Sequence, residues 1–187
     1  MNSMETERLI LRPWLADDLD DLYEYSSDER VGSMAGWKPH ISRAEARKAL
    51  DEYMVQENHW AIVLKSEDKV IGAIKLNPDN NRGKYYAKAI SFVLSPLYWG
   101  KGIMTEAVKR IIRYSFDELK IDLLSAFHYS ENLRSKRVIE KCGFKYEITL
   151  YQSGKRYDGK AKDMVCYSIL RNNYYKVCPF LQFYLGF

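Results

Sequence analysis

The stretch SPLYWGKGIMTEAVKRII, Ser95 to Ile112, sets a proline after an apolar run, brackets Lys101 with two glycines, and then opens a helical pattern. Pro96 removes a backbone donor and closes a strand. Gly100 and Gly102 permit a tight turn in which the backbone can approach a neighbour closely. A helix starting on such a turn leaves N–H groups unpaired, and together with the positive end of the helix dipole these suit an anion such as a phosphate. A merely tight strand-to-helix connection explains the same residues, so the turn alone leaves both readings open. The chain contains neither G-x-x-x-x-G-K-[ST] nor G-x-G-x-x-G, which argues against a nucleoside triphosphatase loop and a dinucleotide fingerprint.

Working outward, Met104, Val108, Ile111, Ile112, Ser115 and Leu119 trace one helix face, with Glu106, Arg110, Arg113 and Asp117 on the other. IDLLSAFH (121–128) reads as a strand and ENLRSKRVIEKCG (131–143) as a helix stopped by Gly143. FKYEITLY and KAKDMVCYSIL read as two strands around the turn SGKRYDGK. Upstream, RLILRPW is a strand ended by Pro13, and LADDLDDLYEYSS is a helix. SRAEARKALDEYMVQE is a second helix, with Ser42 and Glu45 at capping-box spacing. WAIVLK and KVIGAIKL form a hairpin, and AKAISFVL (87–94) adds a third strand. Between the first two helices, DERVGSMAGWKPH (28–40) reads as a linker in which Trp37 and His40 are either a lid over a ligand or a plug on the core. The predicted order is β, α, α, β, β, β, α, β, α, β, β, in one unit.

Composition narrows the class. The 187 residues, 47% of them hydrophobic, suffice for one buried core. The net charge of +4 is spread without a basic stripe or tail, so no nucleic-acid partner is expected. Three cysteines without C-x-x-C spacing suggest neither disulfides nor a metal site, and a reducing, cytoplasmic setting fits them. No segment approaches the roughly 20 apolar residues of a membrane helix, and no signal-peptide pattern is seen at the N-terminus. The apolar residues 174–187 are expected to pack on the domain or at a dimer contact, and the protein to be a monomer or homodimer.

From TERLILRPW through HWAIVL, VIGAI and LSPLYWGKGIMTEA to ENLRSKRVIEKCGF and AKDMVCYSIL, the chain resembles the GNAT (Gcn5-related) N-acetyltransferases, and among them the RimJ/RimL-like branch that acetylates ribosomal-protein N-termini. The resemblance covers residues 1–173. It implies an α/β (α+β) fold: a mixed, mostly antiparallel sheet, helices on both faces, and a parallel pair splayed at the cofactor site. It also implies direct transfer from acetyl-CoA to a primary amine, with no metal. The acceptor is then a peptide N-terminus or a small molecule such as an aminoglycoside, polyamine or amino acid. A degenerate CoA-binding module is the non-enzymatic rival.

By that resemblance the backbone of Phe92, Val93 and Leu94 bonds the pantetheine. Trp99, Gly100, Lys101, Gly102, Ile103, Met104 and Thr105 hold the pyrophosphate, while Arg134, Lys136 or Arg137 reach the cofactor's phosphates. Asn132 bonds the pantetheine arm, Ser135 protonates the leaving thiolate, and Trp37 and His40 face the acceptor. The chain departs from the family pattern at Ile139, where many members carry the tyrosine acid, at Leu97 in place of Gln or Arg, and at Ala89–Phe92 in place of E-[IL]-G-Y. The last departure leaves the general base open among His40, His59, Glu29, His128 and water. Cys142 is expected in the core.

Overall fold

A computed structural model describes residues 2–177. Its eight strands form one sheet in the order β1-β2-β3-β4-β5-β6-β8-β7. They are β1 (Met4–Glu5), β2 (Leu9–Arg12), β3 (His59–Leu64), β4 (Lys69–Pro78), β5 (Ala87–Leu94), β6 (Leu123–Tyr129), β7 (Lys145–Lys155) and β8 (Ala161–Leu170). Every neighbouring pair is antiparallel except β5 and β6. The helices are α1 (Leu19–Ser26), α2 (Glu29–Ala35), α3 (Arg43–Met54), α4 (Ile103–Arg113), α5 (Leu133–Lys141) and α6 (Arg171–Val177).

Strand alternation sends the two faces of the sheet to two cores. Trp60, Ile62 and Leu64 of β3 join α4 and α5 on one side, whereas Ala61 and Val63 join Leu22 of α1, Val31 of α2 and Leu50 of α3 on the other. Helices therefore cover both faces, and β3 is buried along its whole length. Helix α4 inserts Ile103, Met104, Ala107, Val108, Ile111 and Ile112 into the first core, its large apolar side chains contributing about 1.5–3 kcal/mol each on burial.

Several boundaries differ from the sequence reading. The expected linker holds α2, capped by Asp28, whose carboxylate accepts the Arg30 N–H, and closed by left-handed Gly36. Gly32, read as a loop residue, lies inside that helix, where a Cβ would stand 2.7 Å from the Trp37 carbonyl oxygen. Helix α4 ends at Arg113 and continues as a π-helical turn to Glu118. Strand β7 runs on to Lys155, shortening the following turn. Strand β1 and helix α6 were not anticipated. Tyr174 of α6 stacks on Phe116 with centroids 5.0 Å apart; residues 178–187 of the expected tail lie outside the described residues. The capping box forms with one shift: Ser42 Oγ accepts from the Glu45 N–H at 3.3 Å, while Glu45 reaches back to the Ile41 N–H at 2.8 Å. No helix among the described residues is long and apolar enough to cross a membrane.

Two features shape the parallel pair. At one end a polar network ties it shut: Ser125 Oγ donates to Asp79 Oδ2 at 2.6 Å, Arg82 donates to both Asp79 and Glu147, and Ser168 Oγ donates to Glu147 at 2.6 Å. Burial opposes ionisation of Asp79, but its bonds to Ser125 and Arg82 outweigh it and hold the carboxyl below its ordinary range. At the other end β4 carries a bulge beside Gly72, and Gly72 lies across from Leu94 of β5. A Cβ on Gly72 would sit 2.3 Å from the Val93 carbonyl oxygen. Gly72→Ala is accordingly expected to displace Val93 and Leu94, costing about 1–3 kcal/mol of stability, to be read as a lowered melting temperature. An unchanged melting temperature would refute this close approach.

His59 is buried in an aromatic cluster, its ring 4.3 Å from that of Tyr53 and 5.9 Å from that of Trp14. Burial first, and the charge of Lys75 second, lower its pKa to about 4. The unfolded chain therefore takes up this proton before the folded one does, so the stabilisation is complete above about pH 6.5 and lost as pH falls toward 4. We expect denaturation of wild type to lose on the order of 3 kcal/mol from this group across that window. His40 and His128, also lowered by burial, add to the same slope. His59→Gln should flatten the stability-versus-pH curve between pH 4 and 6.5, and an unaltered slope would contradict the assignment.

Candidate active site

Strands β5 and β6 are paired only from Ala87–Leu123 to Ile90–Ala126. Beyond that point β5 continues to Leu94 and β6 to Tyr129 without facing each other. Along Phe92, Val93 and Leu94, strand β5 stays paired with β4 on one edge, while its other edge, toward β6, has no strand partner, the geometry in which an extended amide-bearing chain can add as a strand. Trp99 folds back at the strand's end, its Nε1 donating to the Leu94 carbonyl at 2.9 Å.

Pro96–Tyr98 form a short 3-10 turn, followed by Gly100 and Gly102 at φ values of 77° and 75°. Both glycines occupy the left-handed region that side chains disfavour. Gly102 caps α4 without any side-chain bond, and the N–H groups of Gly102, Ile103, Met104 and Thr105 donate no hydrogen bond within the described residues. Such a cluster of free donors at a helix start suits a phosphate.

A residue from the far end of the sequence holds this loop in place. Arg8 Nη1 donates to the Lys101 carbonyl at 3.0 Å, and Arg8 Nε donates to Glu106 at 2.7 Å. Thr6 donates to the same carboxylate at 2.6 Å. Burial raises the Glu106 pKa, but the bonds from Thr6 and Arg8 prevail and keep it below its ordinary range. Sequence reasoning missed Arg8, and no local pattern marks it, since its partners lie 93 and 98 residues away.

A cleft of about 430 Å³ runs from the β5 edge past the glycine loop to α5. Phe92, Val93, Leu94, Trp99, Gly100, Gly102, Ile103, Met104, Thr105, Asn132 and Ser135 all line it. Lys101 stands outside: its ammonium lies over the Tyr98 ring, 5.3 Å from the centroid. Arg134, Arg137 and Lys141 also line the cleft, with no carboxylate among its described lining residues. Arg134 is fixed over the Trp99 ring at 4.4 Å. Lys136 turns away to Glu140, and Leu97 is exposed.

At the start of α5, Asn132 Oδ1 accepts the Ser135 N–H at 3.1 Å, the N-cap arrangement. Its Nδ2 contacts the Met34 carbonyl of α2 at 3.5 Å. The Ser135 hydroxyl has no hydrogen-bond partner among the described residues. It lines the first cleft and also a second, of about 350 Å³, which opens on the α1–α3 side. Met34, Ala35, Phe92, Val93, Asn132 and Ser135 are common to both.

Trp37 lines the second cleft and packs against the core beneath it. His40 stands outside the lining, its ring 5.5 Å from that of Trp37 and its Nδ1 2.9 Å from the hydroxyl of Ser26, which does line it. Glu29 lines neither cleft. His128 Nδ1 donates to the Tyr129 carbonyl at 2.7 Å, fixing the tautomer, and Nε2 is buried without a partner among the described residues. Ile139 is fully buried, so apolar core occupies the place of the family's tyrosine. Burial pushes the Cys142 thiol up to about 12, which makes it a poor nucleophile. No group of three or more His, Cys, Asp or Glu among the described residues is placed to hold a metal ion.

Comparison with known proteins agrees with this geometry. The acetyltransferase (GNAT) domain family matches residues 8–145. The protein named "Uncharacterized N-acetyltransferase p20" of Bacillus licheniformis is 30% identical over 182 residues, 93% of this chain and 99% of the relative. The spermidine N(1)-acetyltransferase of Escherichia coli (strain K12) is 25% identical over 139 residues, 73% of each chain. The crystal structure of a GNAT-family acetyltransferase from Bacillus anthracis superimposes with a TM-score of 0.81 at 25% identity, covering 91% of this chain and 99% of that one. The chain belongs to the GNAT acetyltransferase family.

Proposed function

We propose that residues 1–173 form one acetyltransferase domain, of the RimJ/RimL-like kind, that moves an acetyl group from acetyl-CoA directly to a primary amine on a peptide N-terminus or a small molecule. The observation carrying this reading is the Ser135 hydroxyl, without a hydrogen-bond partner among the described residues, at the meeting of two clefts, one gathering hydrogen-bond donors suited to phosphate and the other opening toward α1 and α3. The donor's pyrophosphate is held by the N–H groups from Gly102 to Thr105, and its ribose phosphate by Arg134, Arg137 and Lys141. The pantetheine amides add to the free edge of β5 at Phe92–Leu94, and a backbone N–H there stabilises the developing oxyanion.

The amine attacks the thioester carbon. A C–N bond forms, the C–S bond breaks, the amine proton passes to water or a histidine, and Ser135 returns a proton to the thiolate. Asn132, by capping α5, positions Ser135. Alignment of the two substrates in facing clefts supplies much of the rate enhancement.

Ser135→Ala is expected to lower kcat by about a hundredfold while leaving CoA affinity by calorimetry within twofold. Undiminished turnover of an acceptor by this variant would refute the acid role. Failure of the wild type both to bind CoA and to release thiol from acetyl-CoA would refute the functional reading as a whole.

A further inference from the structure

Resting on that reading, we infer that the acceptor amine carries a carboxylate, and that Lys75 binds it. The cleft on the α1–α3 side is lined by aromatic, aliphatic and small polar residues, with no Asp or Glu among the described lining residues. Lys75 is the one lysine or arginine among the described lining residues. The lysine is half-buried and makes no hydrogen bond or ion pair within the described residues.

Register fixes where it points. Lys75 of β4 lies directly across from His59 of β3 and from Ser91 of β5. It therefore shares a sheet face with Ala73, which belongs to the core under α1–α3. Ser91 is the first β5 residue past the last pair with β6, so the lysine stands beside the point where the sheet opens. Phe92 and Val93, shared by both clefts, follow immediately. His59, its strand neighbour, is neutral at pH 7 and gives the ammonium no counter-charge.

A half-buried ammonium without a carboxylate partner among the described residues is open to one, and an incoming carboxylate supplies a charge-assisted hydrogen bond. The same charge repels an acceptor bearing additional ammonium groups, so a polyamine is disfavoured here. The shared chemistry is a primary amine with a carboxylate near it, and it has two sources: a free amino acid, or a peptide N-terminus followed by an acidic side chain.

The test is a thiol-release assay with acetyl-CoA and four acceptors: a set of free amino acids, dipeptide amides with Asp or Ser in second position, n-propylamine, and spermidine. Free amino acids exceeding n-propylamine and spermidine in kcat/KM support the small-molecule source, and a preference for Asp over Ser in the dipeptides supports the peptide source. In either case Lys75→Met should lower the kcat/KM ratio of carboxylate-bearing over plain amine by tenfold or more, chiefly through KM, and Lys75→Arg should recover most of it. Equal or better turnover of spermidine, or a ratio unmoved by Lys75→Met, overturns the inference. If CoA binds and no acceptor turns over, calorimetry of the CoA-loaded protein with N-acetylglycine against N-methylacetamide decides: Lys75-dependent preference for the former supports the carboxylate site, and equal binding overturns it. Loss of CoA binding itself would instead count against the functional reading above.

Discussion

The separation of β5 from β6 after Ile90 and Ala126 is the constraint on which the rest of the molecule depends. A parallel pair that stopped being paired by accident would leave buried backbone groups unsatisfied, at a cost of about 1–3 kcal/mol each. Here the opening is held from both ends. At the closed end Ser125 of β6 bonds the Lys88 carbonyl of β5 and the Asp79 carboxylate, and Arg82, Glu147 and Ser168 carry that network on to β7 and β8. At the open end the bulge in β4, the close approach at Gly72 and the Trp99 bond to Leu94 set the course of β5. The unpaired edge is thus a built feature, and both clefts exist because of it.

Charge is divided between the clefts according to what each is suited to receive. The first gathers Arg134, Arg137 and Lys141 near the free N–H groups of α4, so that side-chain and backbone donors converge without a competing carboxylate. Arg8 and Glu106, which carry charge close by, are spent on each other and on the loop itself. In the second cleft burial keeps His59 neutral, and Lys75 is left as the charged side chain. An amine entering this less polar space is favoured in its uncharged, nucleophilic form, since desolvation penalises an ammonium.

Much of the fold was legible in the chain because its elements announce themselves locally. Period-two runs gave β3, β4 and β5, and the one-sided apolar pattern after Gly102 gave α4. The glycine turn and Asn132–Ser135 were legible as a site once their order along the chain was joined to the family resemblance. Helix α2 was not, because Gly32 and Gly36 weigh toward a loop, while the close approach of Gly32 to the Trp37 carbonyl is one that only the folded chain makes. Lys101 illustrates the reverse: its place in the motif suggests a phosphate contact, yet its side chain lies on Tyr98, leaving the backbone of its loop to line the cleft.

By itself, the sequence determined the strand and helix periodicities, the left-handed glycines of the turn, and the cap that places Ser135 one turn into α5, since these follow from residues within a few positions of one another. Only the tertiary structure decided that Arg8 braces the loop, that Ser135 stands where two clefts meet, and that Lys75 lines the second cleft without an ion-pair partner among the described residues. Those facts depend on which distant strands become neighbours and in what register, and register is fixed by the packing of whole faces and not by any short stretch of chain.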